Sequence, residues 1–147
     1  MKNLTIIGGG PAALMLAAML DTSKYQVTLI EKKKTVGRKF LVAGEGGLNL
    51  TFNSPVDVLI AQYFPKEFME PILRQFSNED LIVWLNNHDI PTFIGSSNRV
   101  FPELDLKPIT ILNKIIQFIK TNKVKFNLNT EWLGWDKQGH LCFDNLE

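Results

Sequence analysis

Cysteine is almost absent: Cys142 is the only one among 147 residues. No intrachain disulfide can form, and no cysteine-based metal set can be built. Histidine is nearly as scarce. His88 and His140 lie far apart and match no motif, so they read as surface residues rather than catalytic ones. An excess of charge of either sign is also lacking, with 16 Lys and Arg against 15 Asp and Glu and a net charge of +1. That balance excludes an electrostatic argument for nucleic acid or an anionic membrane as partner. The one local cluster is Lys32-Lys33-Lys34, followed by Arg38-Lys39. Long apolar runs are missing too. Leu4 to Leu20 is mostly apolar and follows Lys2, like a signal peptide in outline. Gly8-Gly9-Gly10-Pro11 breaks its first half with helix-disfavouring residues. Its 17 residues are also few for a membrane span of about 20. The expectation is a cytoplasmic protein with no membrane partner.

What is present is ordinary globular composition, 45% apolar and 21% charged. The length predicts one domain over residues 1–147 that buries about two thirds of its unfolded surface. Leu4–Ile7 (LTII) predicts a short buried strand, Gly8–Gly10 a turn, and Pro11–Leu20 an alanine-rich helix with proline at its first position. Gln26–Glu31 (QVTLIE) predicts a second strand, which completes a βαβ unit over residues 4–31. Residues 32–53 read as a glycine-rich loop, and residues 54–120 as a helical excursion. Helices are expected over Val56–Tyr63, Glu67–Phe76 and Asn78–Asn87. The last has Ser77 or Asn78 as its cap and an apolar face of Leu81, Ile82, Trp84 and Leu85. Ile90–Phe101 reads as extended with a turn at Gly95-Ser96-Ser97-Asn98. Pro108–Lys120 predicts a helix that buries Ile109, Leu112, Ile116 and Ile119. In residues 124–143, Lys125–Asn129 predicts a strand. Glu131–Trp135 and His140–Phe143 predict a hairpin about Asp136-Lys137-Gln138-Gly139.

The chemistry sits at Gly8-x-Gly10-x-x-Ala13, between strand and helix. Gly8 permits a tight turn, and Gly10 lets a pyrophosphate approach the backbone. Ala13 stands where a small residue allows close helix–strand packing. The first-turn amides of the helix face the phosphates and the helix dipole adds attraction, so the cofactor-binding candidates run from Gly8, Gly9 and Gly10 through Pro11, Ala12 and Ala13. Glu31 ends the second strand, 23 positions after Gly8. There it can accept hydrogen bonds from an adenosine ribose, and it disfavours the 2′-phosphate of NADP. The following lysines, Lys32 first, weaken that exclusion. The motif alone leaves NAD and FAD both open.

Further on, the chain carries Val36-Gly37-Arg38-Lys39-Phe40-Leu41 and then Ala43-Gly44-Glu45-Gly46-Gly47-Leu48-Asn49-Leu50-Thr51. Phe93-Ile94-Gly95-Ser96-Ser97-Asn98-Arg99-Val100-Phe101-Pro102 follows later. From Ile6 to about Ile119 these segments resemble the HI0933-like, or BaiN-like, NAD(P)/FAD-dependent oxidoreductase flavoproteins. Those proteins share a "GRK…(S/A)GxG…N(L/F)T" loop and a "GR-V-F-P" segment. The resemblance implies that Gly8, Gly10 and Glu31 hold the adenosine and pyrophosphate of FAD. It places Arg38, Lys39, Gly44, Gly46 and Asn49 in the loop that approaches the cofactor. Arg38 can donate a fork of hydrogen bonds to a phosphate. Arg99 matches the arginine of the second segment, near a flavin or substrate pocket, and Asn98 replaces a glycine there. Asn tolerates left-handed backbone better than most residues. Many relatives carry Arg-Cys where this chain has Gly47-Leu48. The subgroup with "GxGGLN" matches better, so the departure bears on substrate more than on flavin.

The resemblance also implies a Rossmann-like α/β fold. In it the first strand is central in a parallel sheet, an antiparallel meander covers one face, and a second domain is inserted. This chain is then expected to hold the first strands and the start of the meander as an N-terminal portion, apparently truncated. It would be a fragment, a shortened gene product or one piece of a split protein, and inactive in isolation. Its open sheet edge would favour self-association. The leading expectation is the FAD-binding part of a flavin-dependent oxidoreductase, with NAD(P)H as a possible electron donor. The alternatives are a Rossmann NAD-binding protein and a non-catalytic remnant or partner-binding module.

Overall fold

The computed structural model describes residues 1–44 and 47–145. In chain order the elements are β1 (Lys2–Ile7), α1 (Pro11–Met19), β2 (Tyr25–Glu31), α2 (Arg38–Gly44) and β3 (Thr51–Phe52). Next come α3 (Val56–Ile60), α4 (Lys66–Gln75), α5 (Asn78–Asn87), β4 (Thr92–Ile94) and β5 (Arg99–Pro102). The last are α6 (Pro108–Thr121), β6 (Lys125–Leu128), β7 (Trp132–Trp135) and β8 (Leu141–Phe143). They form two compact units: Met1–Val42 with Ile115–Glu147, and Ala43–Lys114.

The first unit is built on a parallel sheet of order β1-β2-β6. Leu4 lies opposite Val27, Ile6 opposite Leu29, and Ile30 opposite Asn127. A parallel pair cannot be closed by a tight turn, so the chain crosses over through α1. β2 is the middle strand, and its Val27, Leu29 and Ile30 are all at most 3% exposed. That near-continuous apolar run is what a strand covered on both faces needs. β6 begins after a long excursion, yet it pairs with β2 in register. The ladder continues past it, where the Thr130 N–H donates to the Glu31 carbonyl at 3.1 Å. α1 is apolar all round and buries only Leu14, Ala17 and Ala18. Ala13, in the first turn of α1, is half-buried. β7 and β8 form the expected hairpin, with a register irregularity between Trp132 and Gly134.

The second unit carries an antiparallel sheet of order β3-β5-β4. Its buried apolar residues include Leu59, Ile60, Leu85, Ile90 and Val100. α5 starts on a capping box: the Ser77 side chain accepts from the Asp80 N–H while the Asp80 carboxylate accepts from the Ser77 N–H. Asn78 is 3% exposed, and its side-chain amide donates to the carbonyls of Phe52 at 2.7 Å and Ser54 at 2.9 Å. Asn98 turns between β4 and β5 at φ +58°, the left-handed conformation expected of it.

Several expectations are corrected. The stretch 32–53 is not all loop, since it holds α2 and β3. Arg38–Ala43 is a run with no helix breaker, and it starts directly after Gly37 at φ +72°. On α6 the buried face is Ile111, Leu112, Ile115 and Ile119, whereas Ile109 is 46% exposed. Ile109 stands in the first turn, and the 111-115-119 spacing defines the buried stripe. Among the described residues, no helix is long and apolar enough to cross a membrane.

Candidate functional site

β1 and β2 are parallel, so the turns that follow them open at the same end of the sheet. The Gly8 N–H donates to the Ile30 carbonyl at 2.7 Å and extends the β1–β2 ladder by one step. Gly8 then turns at φ +94°, a region where a side chain is strained. Gly9 is held on both sides. Its N–H donates to Glu31 Oε2 at 2.7 Å, and its carbonyl accepts from the Gly37 N–H at 2.7 Å. A Cβ at position 9 would lie 2.5 Å from Val36 Cγ1. Gly10 differs, because a Cβ there would meet nothing within 4 Å, and that open side leaves room for a ligand.

Gly10 is the N-cap of α1 and supplies no side-chain cap. Pro11 has no N–H, and the first backbone bond of the helix is Leu14 N–H to the Gly10 carbonyl at 3.0 Å. The N–H groups of Gly10, Ala12 and Ala13 meet no acceptor among the described residues. Three unsatisfied donors at the positive end of a helix are an anion site in waiting.

A cleft of about 510 Å³ opens in front of this turn, within the size range of small-molecule sites. Gly8–Gly10, Glu31, Lys32, Arg38 and Lys39 all line it. The fold thus brings these sequence candidates to one place, with Pro11–Ala13 as the helical turn that follows Gly10. Lys32 is engaged, since its Nζ lies 3.2 Å from Glu131 Oε1 in an exposed pair. Such a pair contributes little stability. Neither Arg38 nor Lys39 makes an ion pair with another described residue, so both cations are available to an anion.

Glu31 is more committed than its motif role suggests. Besides the Gly9 bond, its Oε1 accepts from the Lys33 N–H at 2.8 Å. Gly44 is the last residue of α2. Gly46 lies outside the described residues. Asn49 and Arg99 belong to the second unit. Asn49 is an exposed residue whose N–H donates to the Gly47 carbonyl at 3.0 Å, and Arg99 is exposed on β5 opposite Phe52.

Lys33, Gly37, Thr130 and Trp132 are among the cleft residues that the sequence did not mark as candidates. Trp132, 38% exposed, starts the strand after β6 and is met edge-on by Trp135 at 6.0 Å between ring centroids. Ligands in open parallel sheets bind outside the carboxyl ends of the strands. That rule points to residues 129–132, once β6 is known to lie beside β2.

The sequence profile of the HI0933-like protein Rossmann domain matches residues 2–145. The chain belongs to this family. It is 27% identical over 127 residues to a 3-dehydro-bile acid delta(4,6)-reductase of Clostridium scindens, covering 85% of this chain and 30% of that protein. It is 28% identical over 128 residues to the ribosomal RNA dihydrouridine synthase of Escherichia coli, covering 87% and 31%. The chain therefore spans about 30% of the length of these curated relatives. Among solved structures, the open form of a flavocytochrome c3 fumarate reductase superposes with a TM-score of 0.63 at 16% identity, over 92% of this chain and 28% of that one. A 3-ketosteroid-delta4-(5alpha)-dehydrogenase from Rhodococcus jostii RHA1 gives a TM-score of 0.62 at 12% identity, over 95% and 41%. These likenesses establish the fold of the HI0933-like Rossmann domain: a parallel sheet of order β1-β2-β6 together with antiparallel sheets.

Proposed function

We propose that the cleft binds the adenosine diphosphate part of FAD, and that this chain is the FAD-binding portion of a flavin-dependent oxidoreductase. The observation that carries this reading is the set of unsatisfied N–H groups at Gly10, Ala12 and Ala13, with the open side of Gly10 beside them. Arg38 and Lys39 supply cationic charge for the pyrophosphate, and Lys32 lies at the same rim. Glu31 stands where the ribose hydroxyls would be, and Trp132 offers an apolar wall for the purine. Gly44, Gly46, Asn49 and Arg99 stay candidates on their sequence motifs alone. When bound, FAD would supply the electron chemistry while the protein positions it, with NAD(P)H as the electron donor. The β7–β8 hairpin follows the third parallel strand where a further βα unit would continue an NAD-binding sheet. That favours FAD over NAD. A cytoplasmic setting and self-association through the open edge of β1 are part of the same proposal.

The test is direct. The protein is incubated with FAD, FMN and NAD, desalted, and the retained cofactor is released by denaturation and identified by chromatography. FAD retention supports the reading. Retention of FMN alone, or of no nucleotide by a protein that circular dichroism shows to be folded, overturns it.

A further inference from the structure

We infer that Glu31 acts on the bound dinucleotide chiefly as a positioning residue, by bracing the glycine turn that meets the pyrophosphate. The inference rests on the reading of the cleft as an adenosine diphosphate site. It changes what Glu31 is for.

Both carboxylate oxygens are taken by backbone donors before any ligand arrives. Oε2 accepts from Gly9 N–H at 2.7 Å and Oε1 from Lys33 N–H at 2.8 Å. These donors come from the loop after β1 and the loop after β2, so one side chain ties the two turns together. The Gly37 N–H holds the other side of Gly9 through its carbonyl at 2.7 Å. Val36 closes the space that a side chain at position 9 would need. Gly9 is therefore fixed by two hydrogen bonds and a steric wall.

This brace decides which amides face the cleft. The Gly8 N–H is spent on Ile30 and the Gly9 N–H on Glu31, which leaves Gly10, Ala12 and Ala13 unsatisfied. If Gly9 were released, the turn would have to be ordered at the moment of binding, and that cost falls on affinity. A carboxylate suits the task because it offers two acceptor oxygens to two donors. A glutamine offers one, and its NH₂ group would face the second N–H. The two donors also disperse a negative charge that would otherwise stand unpaired near an anion site.

The test compares ADP with 2′,3′-dideoxy-ADP, which keeps the pyrophosphate and lacks the ribose hydroxyls. Calorimetric affinities are measured for wild type and Glu31→Gln, while amide exchange at Gly9 and Lys33 is followed by NMR without ligand. A positioning role predicts that Glu31→Gln weakens ADP and dideoxy-ADP by the same factor, about tenfold or more. Exchange at Gly9, at Lys33 or at both should quicken in the same variant. Restoring the carboxylate one methylene short, in Glu31→Asp, should recover part of the lost protection. Unchanged exchange at both Gly9 and Lys33 in the variant overturns the brace, since the one glutamine oxygen replaces only one of the two acceptors. So does a loss confined to ADP, which would leave Glu31 a reader of ribose alone. If wild type binds neither nucleotide, the adenosine diphosphate reading itself falls, while exchange at Gly9 and Lys33 still reports on the brace.

Discussion

Glycines 8, 9 and 10 do three different jobs. Gly8 takes a positive φ, Gly9 fits a space with no room for a Cβ, and Gly10, which lines the cleft, has open space beside it. Gly9→Ala should therefore be the most damaging of the three to the empty protein, because Val36 Cγ1 stands 2.5 Å from the new atom. Gly10→Ala should leave thermal stability nearly unchanged while weakening FAD. Melting curves beside FAD titrations check both, and a Gly10→Ala variant that binds FAD normally would show that the ligand lies elsewhere. Glu31→Ala should weaken FAD by about 1–3 kcal/mol, the scale for lost hydrogen bonds to a charged group. At Trp132, bound adenine should quench the indole, and Trp132→Leu should remove that quench and about 1–3 kcal/mol of affinity. An undiminished quench in Trp132→Leu would assign it to Trp84 or Trp135. The turn glycines and Glu31 were legible in the sequence because their spacing is local to one βαβ unit. The tie between Gly9, Glu31 and Gly37 was not, since it depends on how three turns meet in space. Trp132 was hidden for the same reason: nothing local places residue 132 beside residue 31.

At the scale of elements, what could be read was whatever carried its own punctuation. α5 was expected over Asn78–Asn87 and spans those residues, because Ser77 and Asp80 mark its start. α2 carries no such mark, and α6 shows how a periodic face can be set wrongly when a terminal isoleucine is counted into it. The cap gives a prediction. Ser77→Ala should destabilise the protein by about 1 kcal/mol, the usual cost of losing an N-cap side chain. The backbone N–H of Ser77, then its side chain, hold the Asp80 carboxyl below the ordinary carboxylate range. A carboxyl lowered on folding stabilises above its unfolded pKa of about 3.9, and that contribution is lost as pH falls through the folded value. The gap in urea midpoint between wild type and Asp80→Asn should thus be open near neutrality and close in acid. A gap that stays constant from neutral to strongly acid pH would mean the charge on Asp80 adds nothing to the cap.

The whole molecule poses the problem of an open sheet. The order β1-β2-β6 could not be read from periodicity, because a short strand such as KFNL does not say which strand it returns to. β2 is paired on both edges, and β1 on one only among the described residues. β1 is six residues long, and Lys2 is its only charged residue. Its Ile7 is 41% exposed. An edge with a row of unpaired donors and acceptors and little charge is a template for another strand. A second copy offers the same edge, and two such edges related by a two-fold axis would pair antiparallel and close the assembly. We therefore expect this chain to form dimers whose fraction rises with concentration in sedimentation experiments. Thr5 is exposed on β1, so Thr5→Lys should be tolerated by the fold while placing like charges near one another across the paired edge. The variant should shift the population to monomer without lowering the melting temperature of the monomer. Wild-type protein that sediments as a monomer across the whole concentration series would show that the edge is protected in a way the strand itself does not reveal. A dimer that Thr5→Lys leaves intact would move the interface to another surface, such as the exposed Phe64 and Phe68 around the start of α4.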